Sequence, residues 1–231
     1  KINNKENFNN EEMEIKGYQD IQKFYDCQDN ERFRKNLCKT YDIYYKDKIL
    51  TIEMENCGLS LIDIQKLNKI NKNNPIKITW SMITDSLNTL EAINDFGLAL
   101  FDIKMGNLTF DEKTKSIKFI DYGLADEENN GRNNFKTRGT IPYLSPFRLI
   151  GEKIEVINYT FEFEEQYGLL LSLLLFVTEI NETNIFTFIN EDNYLKYDIE
   201  FFENHLDEIK TNFFPEYLKE CSINSIGRLV F

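Results

Sequence analysis

The sequence predicts an α+β fold with a small mixed front and a mostly helical body, and three features carry that expectation. Two segments rich in β-branched and aromatic residues, LCKTYDIYY and KILTIEME, flank the turn-prone Lys46-Asp47-Lys48. Two shorter apolar segments, GNLTF and SIKFID, flank the charged turn DEKTK and read as a second hairpin. Elsewhere apolar residues recur at three- to four-residue spacing, the period of a helix with one buried face.

In chain order, the polar KINNKENFNN leads into NNEEMEIKGYQDIQKFYD, where Ile15, Tyr18, Ile21 and Phe24 or Tyr25 form a stripe under an acidic start, predicting a helix. The charged link DNERFRKN precedes the first antiparallel pair. After Gly58 the helical period returns in LSLIDIQKLNKI; KNNP at 72–75 forms a loop, and a longer helix runs over roughly residues 78–96 before Gly97 stops it. The second hairpin follows, then a polar, Asn-rich stretch to about Lys136. From Phe163 onward the pattern is mostly helical, in EEQYGLLLSLLLFV, DIEFFENHLDEI and PEYLKECSI.

With 231 residues, 42% hydrophobic and 14% aromatic, the chain can bury a real core and is not disordered. Lys and Arg total 27 against 39 Asp and Glu, a net charge of −12, which disfavours a broad phosphate-backbone interface and excludes nucleic acid as the expected partner. Cys27, Cys38, Cys57 and Cys221 show no CxxC spacing and His205 is the single histidine, so a Cys/His zinc site is not expected and a reducing, intracellular, cytoplasmic setting fits best. The longest apolar run, Leu169 to Val177, falls short of the ~20 residues of a membrane helix and reads as a buried core helix. The acidic runs Asp126-Glu127-Glu128 and Glu162, Glu164, Glu165 read as solvated faces, and His205 as a surface residue.

The chemistry concentrates in LALFDIKMGNLTFDEKTKSIKFIDYGLA. Asp102, Lys104, Asn107 and Asp121 place two carboxylates, an ammonium and an amide on the loops flanking one hairpin, a set able to hold a divalent cation through oxygens and to aim a positive charge at a phosphate. DIKMGN has the D-x-K-x-x-N spacing of the protein-kinase catalytic loop, and DYGLA resembles the DFG motif with Tyr for Phe. RGTIPYLSP resembles the end of an activation segment, ILTIEMENCGLSL the last small-lobe strand and hinge, EEQYGLLLSLLLF the central helix of the large lobe, and SINSIGRLVF the closing helix. Taken singly each is weak; their common order identifies the chain, from about residue 11 to its end, as similar to a divergent eukaryotic-type Ser/Thr protein kinase.

That resemblance implies a two-lobed fold, with a partial small β lobe over 1–56 and a helical large lobe over 57–231. It implies ATP and Mg²⁺ as cofactors and a protein hydroxyl as substrate. Asp102 would orient or deprotonate that hydroxyl, Lys104 would neutralise charge on the transferring group, and Asn107 and Asp121 would hold the metal. Met54 takes the gatekeeper position, and Glu55 to Cys57 the hinge, with Cys57 offering backbone hydrogen bonds to adenine. Thr140 would bond the catalytic loop, Tyr122 would pack beneath the helix, Glu165 would accept catalytic-loop N–H groups, and Arg228 takes the closing helix's usual arginine. Lys1 is a candidate for the small-lobe lysine, with Glu12 as its first-choice partner and Glu14 next.

The departures are equally specific. Leu100-Phe101 stands where His-Arg precedes the catalytic Asp, removing the arginine that docks an activation-loop phosphate, so phosphorylation of Thr137 or Thr140 is not expected to activate. Phe147 replaces the Glu that would pair with Arg228, and neither a Gly-rich loop nor a V-A-I-K strand occurs in the 231 residues. Two functions follow: an active Ser/Thr kinase that keeps its metal and transfer residues, or a pseudokinase serving as a nucleotide-binding or scaffolding module.

Overall fold

The computed structural model describes residues 4–127, 138–140, 143–144, 161–178, 186–189 and 194–197. Lys1, Phe147, His205, Arg228 and the helices expected in DIEFFENHLDEI and PEYLKECSI lie outside these residues.

Helix α1 (Asn4–Asp26) begins before the acidic start that predicts it, because the polar residues ahead include no proline or glycine to stop a helix. It buries Tyr18, Ile21 and Phe24. A 3₁₀ segment (Gln28–Asn36) leads to β1 (Thr40–Lys46), which pairs antiparallel with β2 (Ile49–Met54). The two residues between them, Asp47 and Lys48, both take positive φ (52° and 65°), the conformation that matches a two-residue turn to strand twist.

Strand β3 (Leu59–Ser60) runs straight into α2 (Leu61–Ile70), where Ser60 Oγ accepts the backbone N–H of Asp63 as an N-cap. Thr79 caps α3 (Trp80–Asp95) in the same way. Strand β4 (Leu98–Ala99) enters a loop closed by a 3₁₀ turn (Met105–Asn107), followed by the hairpin β5 (Leu108–Asp111) and β6 (Ser116–Phe119). β3, β5 and β6 form one antiparallel sheet, while β7 (Asp126–Glu127) pairs with β4, setting Ala99 opposite Asp126.

Helix α4 (Phe161–Thr178) buries Leu169, Leu171, Leu173 and Leu175, residues that wrap around its circumference, as the apolar run predicts for a core helix. The core joins these to Phe24, Leu90, Ile93, Leu108, Ile117 and Phe119, each fully buried and worth about 1.5–3 kcal/mol of removed apolar surface. No helix among the described residues is long and apolar enough to cross a membrane.

One element is added and two expectations are corrected. After α4 an antiparallel hairpin, β8 (Phe186–Ile189) and β9 (Tyr194–Tyr197), joins the helical body, an element not named from the sequence. FTFI and YLKY are short segments rich in aromatic residues, a composition that suits paired strands. Asp126, Glu164 and Glu165 are buried, contrary to the solvated faces expected of their acidic runs. Finally, Cys38 and Cys57, apart in sequence, form a disulfide with Cα atoms 6.1 Å apart. The β1–β2 hairpin brings its two flanks together, which residue spacing alone does not reveal, and the pair departs from the reduced state expected.

Candidate active site

The loop between β4 and β5 is held by a buried carboxylate of α4. Glu165 of α4 accepts the backbone N–H groups of Leu100 and Phe101, the latter at 3.1 Å, and also the Asn94 amide at 2.8 Å. A buried carboxylate gripping backbone donors is well satisfied, which explains an acid in this apolar helix. Phe101 has φ 65°, a left-handed turn that a bulky residue adopts only when its surroundings enforce it.

Three polar groups of that turn and the hydroxyl of Thr140 close on one another. Lys104 Nζ donates to Asp102 Oδ2 at 2.7 Å and to Thr140 Oγ1 at 3.0 Å, while Thr140 Oγ1 donates to Asp102 Oδ1 at 2.6 Å. Asn107 Nδ2 donates to both the carbonyl and Oδ2 of Asp102, each at 3.0 Å. Gly139 makes the approach of Thr140 possible: its φ is 97°, and a Cβ there would lie 2.5 Å from the Phe101 carbonyl. Asp102, Lys104, Asn107 and Thr140, singled out in sequence up to 38 residues apart, therefore share one cluster.

Asp121 lies across the hairpin at φ 64° and is exposed, its Oδ1 accepting from Gly123 N at 3.4 Å. The adjoining Tyr122 is fully buried, as expected of the residue packed beneath the helix. Its hydroxyl donates to the carbonyls of Phe119 and Cys38 and accepts the Cys38 N–H at 2.8 Å. Its ring meets Tyr18 of α1 edge-on at 5.4 Å, and burial pushes both phenols well above the usual tyrosine range. Gly17 permits this contact, because a Cβ there would sit 2.2 Å from the Tyr122 carbonyl.

Glu14, rather than Glu12, faces this site. Glu14 precedes Tyr18 by four positions and Ile21 by seven, so it shares their face, whereas Glu12 lies about 200° around the helix and is exposed. The Glu14 side chain lies against Gly123, and burial, then the charges of Asp121 and Glu11, push its carboxyl above the usual range. The stripe of Tyr18 and Ile21 carried the signal that separates the two acids.

Met54, Glu55 and Cys57 follow one another at the end of β2. Met54 packs against the core and Cys57 is buried. The Glu55 carboxylate turns inward, and both oxygens accept from Lys118 Nζ at 2.9 Å. Lys118, on β6, is buried and also approaches Asp111 at 3.8 Å, a pairing its strand sequence did not disclose.

Asp102, Asn107 and Asp121 offer the hard oxygen donors that a divalent cation takes. That donor set, two carboxylates and an amide oxygen, fits a divalent metal ion.

The loop, the hairpin that follows it and the segment clasped against the loop match the parts expected of a protein kinase domain. The family model for the protein kinase domain matches residues 1–162, and the chain belongs to that family. It is 28% identical over 190 residues to "Serine/threonine-protein kinase 1" of African swine fever virus (isolate Pig/Kenya/KEN-50/1950), covering 82% of this chain and 56% of that protein. It is 29% identical over 140 residues to "Interferon-induced, double-stranded RNA-activated protein kinase" of Mus musculus, covering 57% of this chain and 25% of that protein. A Schizosaccharomyces pombe eIF-2-alpha kinase is 37% identical over 86 residues, 37% of this chain and 5% of that protein. The chain thus spans about half, or less, of the relatives it matches.

Proposed function

We propose that this domain is a catalytically active Ser/Thr kinase, transferring the γ-phosphoryl group of ATP to a protein hydroxyl. The observation that carries the reading is the closed cluster of Asp102, Lys104, Asn107 and Thr140, in which both oxygens of one carboxylate are oriented by donors. Asp102 holds the incoming hydroxyl by its proton and accepts that proton as the hydroxyl oxygen bonds to the γ-phosphorus and the bond from that phosphorus to the bridging oxygen breaks, the electron pair leaving with ADP. Lys104 sets its ammonium where negative charge builds on the transferring group, and Thr140 keeps both in register. Asn107 and Asp121 would hold Mg²⁺, whose charge supports the nucleotide phosphates, and the backbone of Glu55 to Cys57 would receive adenine. A lysine two positions after the catalytic Asp, and relatives named as Ser/Thr kinases, support the hydroxyl class.

The deciding experiment compares the wild type with Asp102→Asn, using ATP and a generic basic protein. Turnover should fall on the order of 10²- to 10³-fold while ATP affinity stays within about twofold. Saturable ATP binding without wild-type transfer above the Asp102→Asn background would replace this reading with the pseudokinase module.

A further inference from the structure

Arg138 and Asp126 are buried against each other, with Arg138 Nη2 donating to Asp126 Oδ2 at 2.9 Å. Lys16 of α1 takes the other oxygen, Oδ1, at 2.7 Å, and it also pairs with Asp20 at 2.9 Å, which in turn holds Lys23 at 2.7 Å. The Arg138 guanidinium lies over the Phe101 ring, 5.2 Å from its centroid, and Nη2 reaches Met13 Sδ at 3.5 Å. Asp126 is also the β7 residue opposite Ala99, one step before the catalytic turn. These contacts tie helix α1, strand β7 and the catalytic turn to the segment that presents Thr140 to Asp102.

We propose that Asp126, Arg138 and Lys16 form an ionic latch that positions the Gly139–Thr140 segment without phosphorylation. The inference rests on the kinase reading for its consequence and on the structure for its contacts. Phe101 removes the cation that would dock a phosphate, and it offers a flat face on which Arg138 rests. The charges are inverted: the segment brings the cation, and the fold supplies a fixed carboxylate in place of an added phosphate. Since both partners are buried, breaking the pair leaves an uncompensated charge, which favours release of the segment. Asp126, Arg138 and Lys16 are positioning residues, acting on Asp102 through Thr140.

The test measures hydrogen exchange and turnover in the whole chain for Asp126→Asn, Arg138→Gln, their double variant and Arg138→Lys. Amides of the 138–140 segment should exchange about tenfold faster in each neutralised variant, while α3 amides keep their protection. The double variant should lose no more protection than Asp126→Asn alone, because that change already removes the carboxylate that Arg138 and Lys16 share. Arg138→Lys should restore most of the protection. Turnover should follow exchange with the KM for ATP unchanged, and phosphatase treatment of the wild type should leave turnover intact. Wild-type exchange in the neutralised variants, additive effects, or loss of turnover on phosphatase treatment would overturn the latch. The exchange pattern without any wild-type turnover would uphold the latch and remove the kinase reading. If Asp126→Asn also loses α3 protection, the contrast between Arg138→Lys and Arg138→Gln decides.

Discussion

The Thr140 hydroxyl donates to Asp102 Oδ1 at 2.6 Å while accepting from Lys104 Nζ at 3.0 Å, so one side chain sets the direction of both charged groups. Thr140→Val keeps the shape and removes the hydroxyl. Turnover should fall about tenfold or more with ATP affinity unchanged, and Thr140→Ser should recover most of it, as steady-state kinetics would show. A phosphate on Thr140 would abolish the donor and place negative charge beside Asp102, so that modification should inactivate.

Lys118 depends on Glu55 for its charge partner. Glu55→Gln takes away the nearer of two carboxylates beside a buried ammonium, leaving Asp111 at 3.8 Å, and should cost up to about 3 kcal/mol, read from urea denaturation. Lys118→Met, which leaves the more accessible Glu55 to meet water, should cost less. Equal losses would show that the pair acts through packing alone.

The Cys38–Cys57 disulfide closes a 19-residue separation that spans the β1–β2 hairpin. Its reduction should lower stability by about 3 kcal/mol, and Cys57→Ser should lower it equally while becoming insensitive to reductant. Thiol labelling of the native oxidised chain should modify Cys27, which is free, and leave Cys38 unlabelled.

Glu14 gives a pH signature opposite to that of a paired acid. Its folded pKa is raised above the ordinary glutamate value, so the folded state binds the extra proton, and this group's contribution falls as pH rises from the unfolded value through the folded one. Glu14→Gln should therefore melt higher than the wild type at pH 7, with the gap closing below about pH 4. Asp126 behaves the other way. Burial raises its pKa, but hydrogen bonds from Lys16, the Glu127 backbone and Arg138 outweigh that and depress it, so its contribution persists at neutral pH and is lost only in acid below the ordinary 3.8. A melting temperature for Glu14→Gln that tracks the wild type across this range would remove the assigned charge conflict with Asp121.

By itself the sequence determined whatever depends on neighbours in the chain. Apolar period placed α1 to α4, the turns of Asp47-Lys48 and DEKTK placed the β1–β2 and β5–β6 hairpins, and the spacing of Asp102, Lys104 and Asn107 placed three members of one cluster, because a single tight turn must bring such close positions together. Periodicity also held the choice of Glu14 over Glu12, since the face shared with Tyr18 follows from helix geometry. Tertiary structure alone decided the pairings across long separations. Arg138 with Asp126 and Lys16, Lys118 with Glu55, and Cys38 with Cys57 each join residues that are ordinary in their own segments. An acidic residue in a polar run looks solvated until packing removes the water, and then the cost of an unpaired buried charge selects its partner from whatever element the fold has brought near.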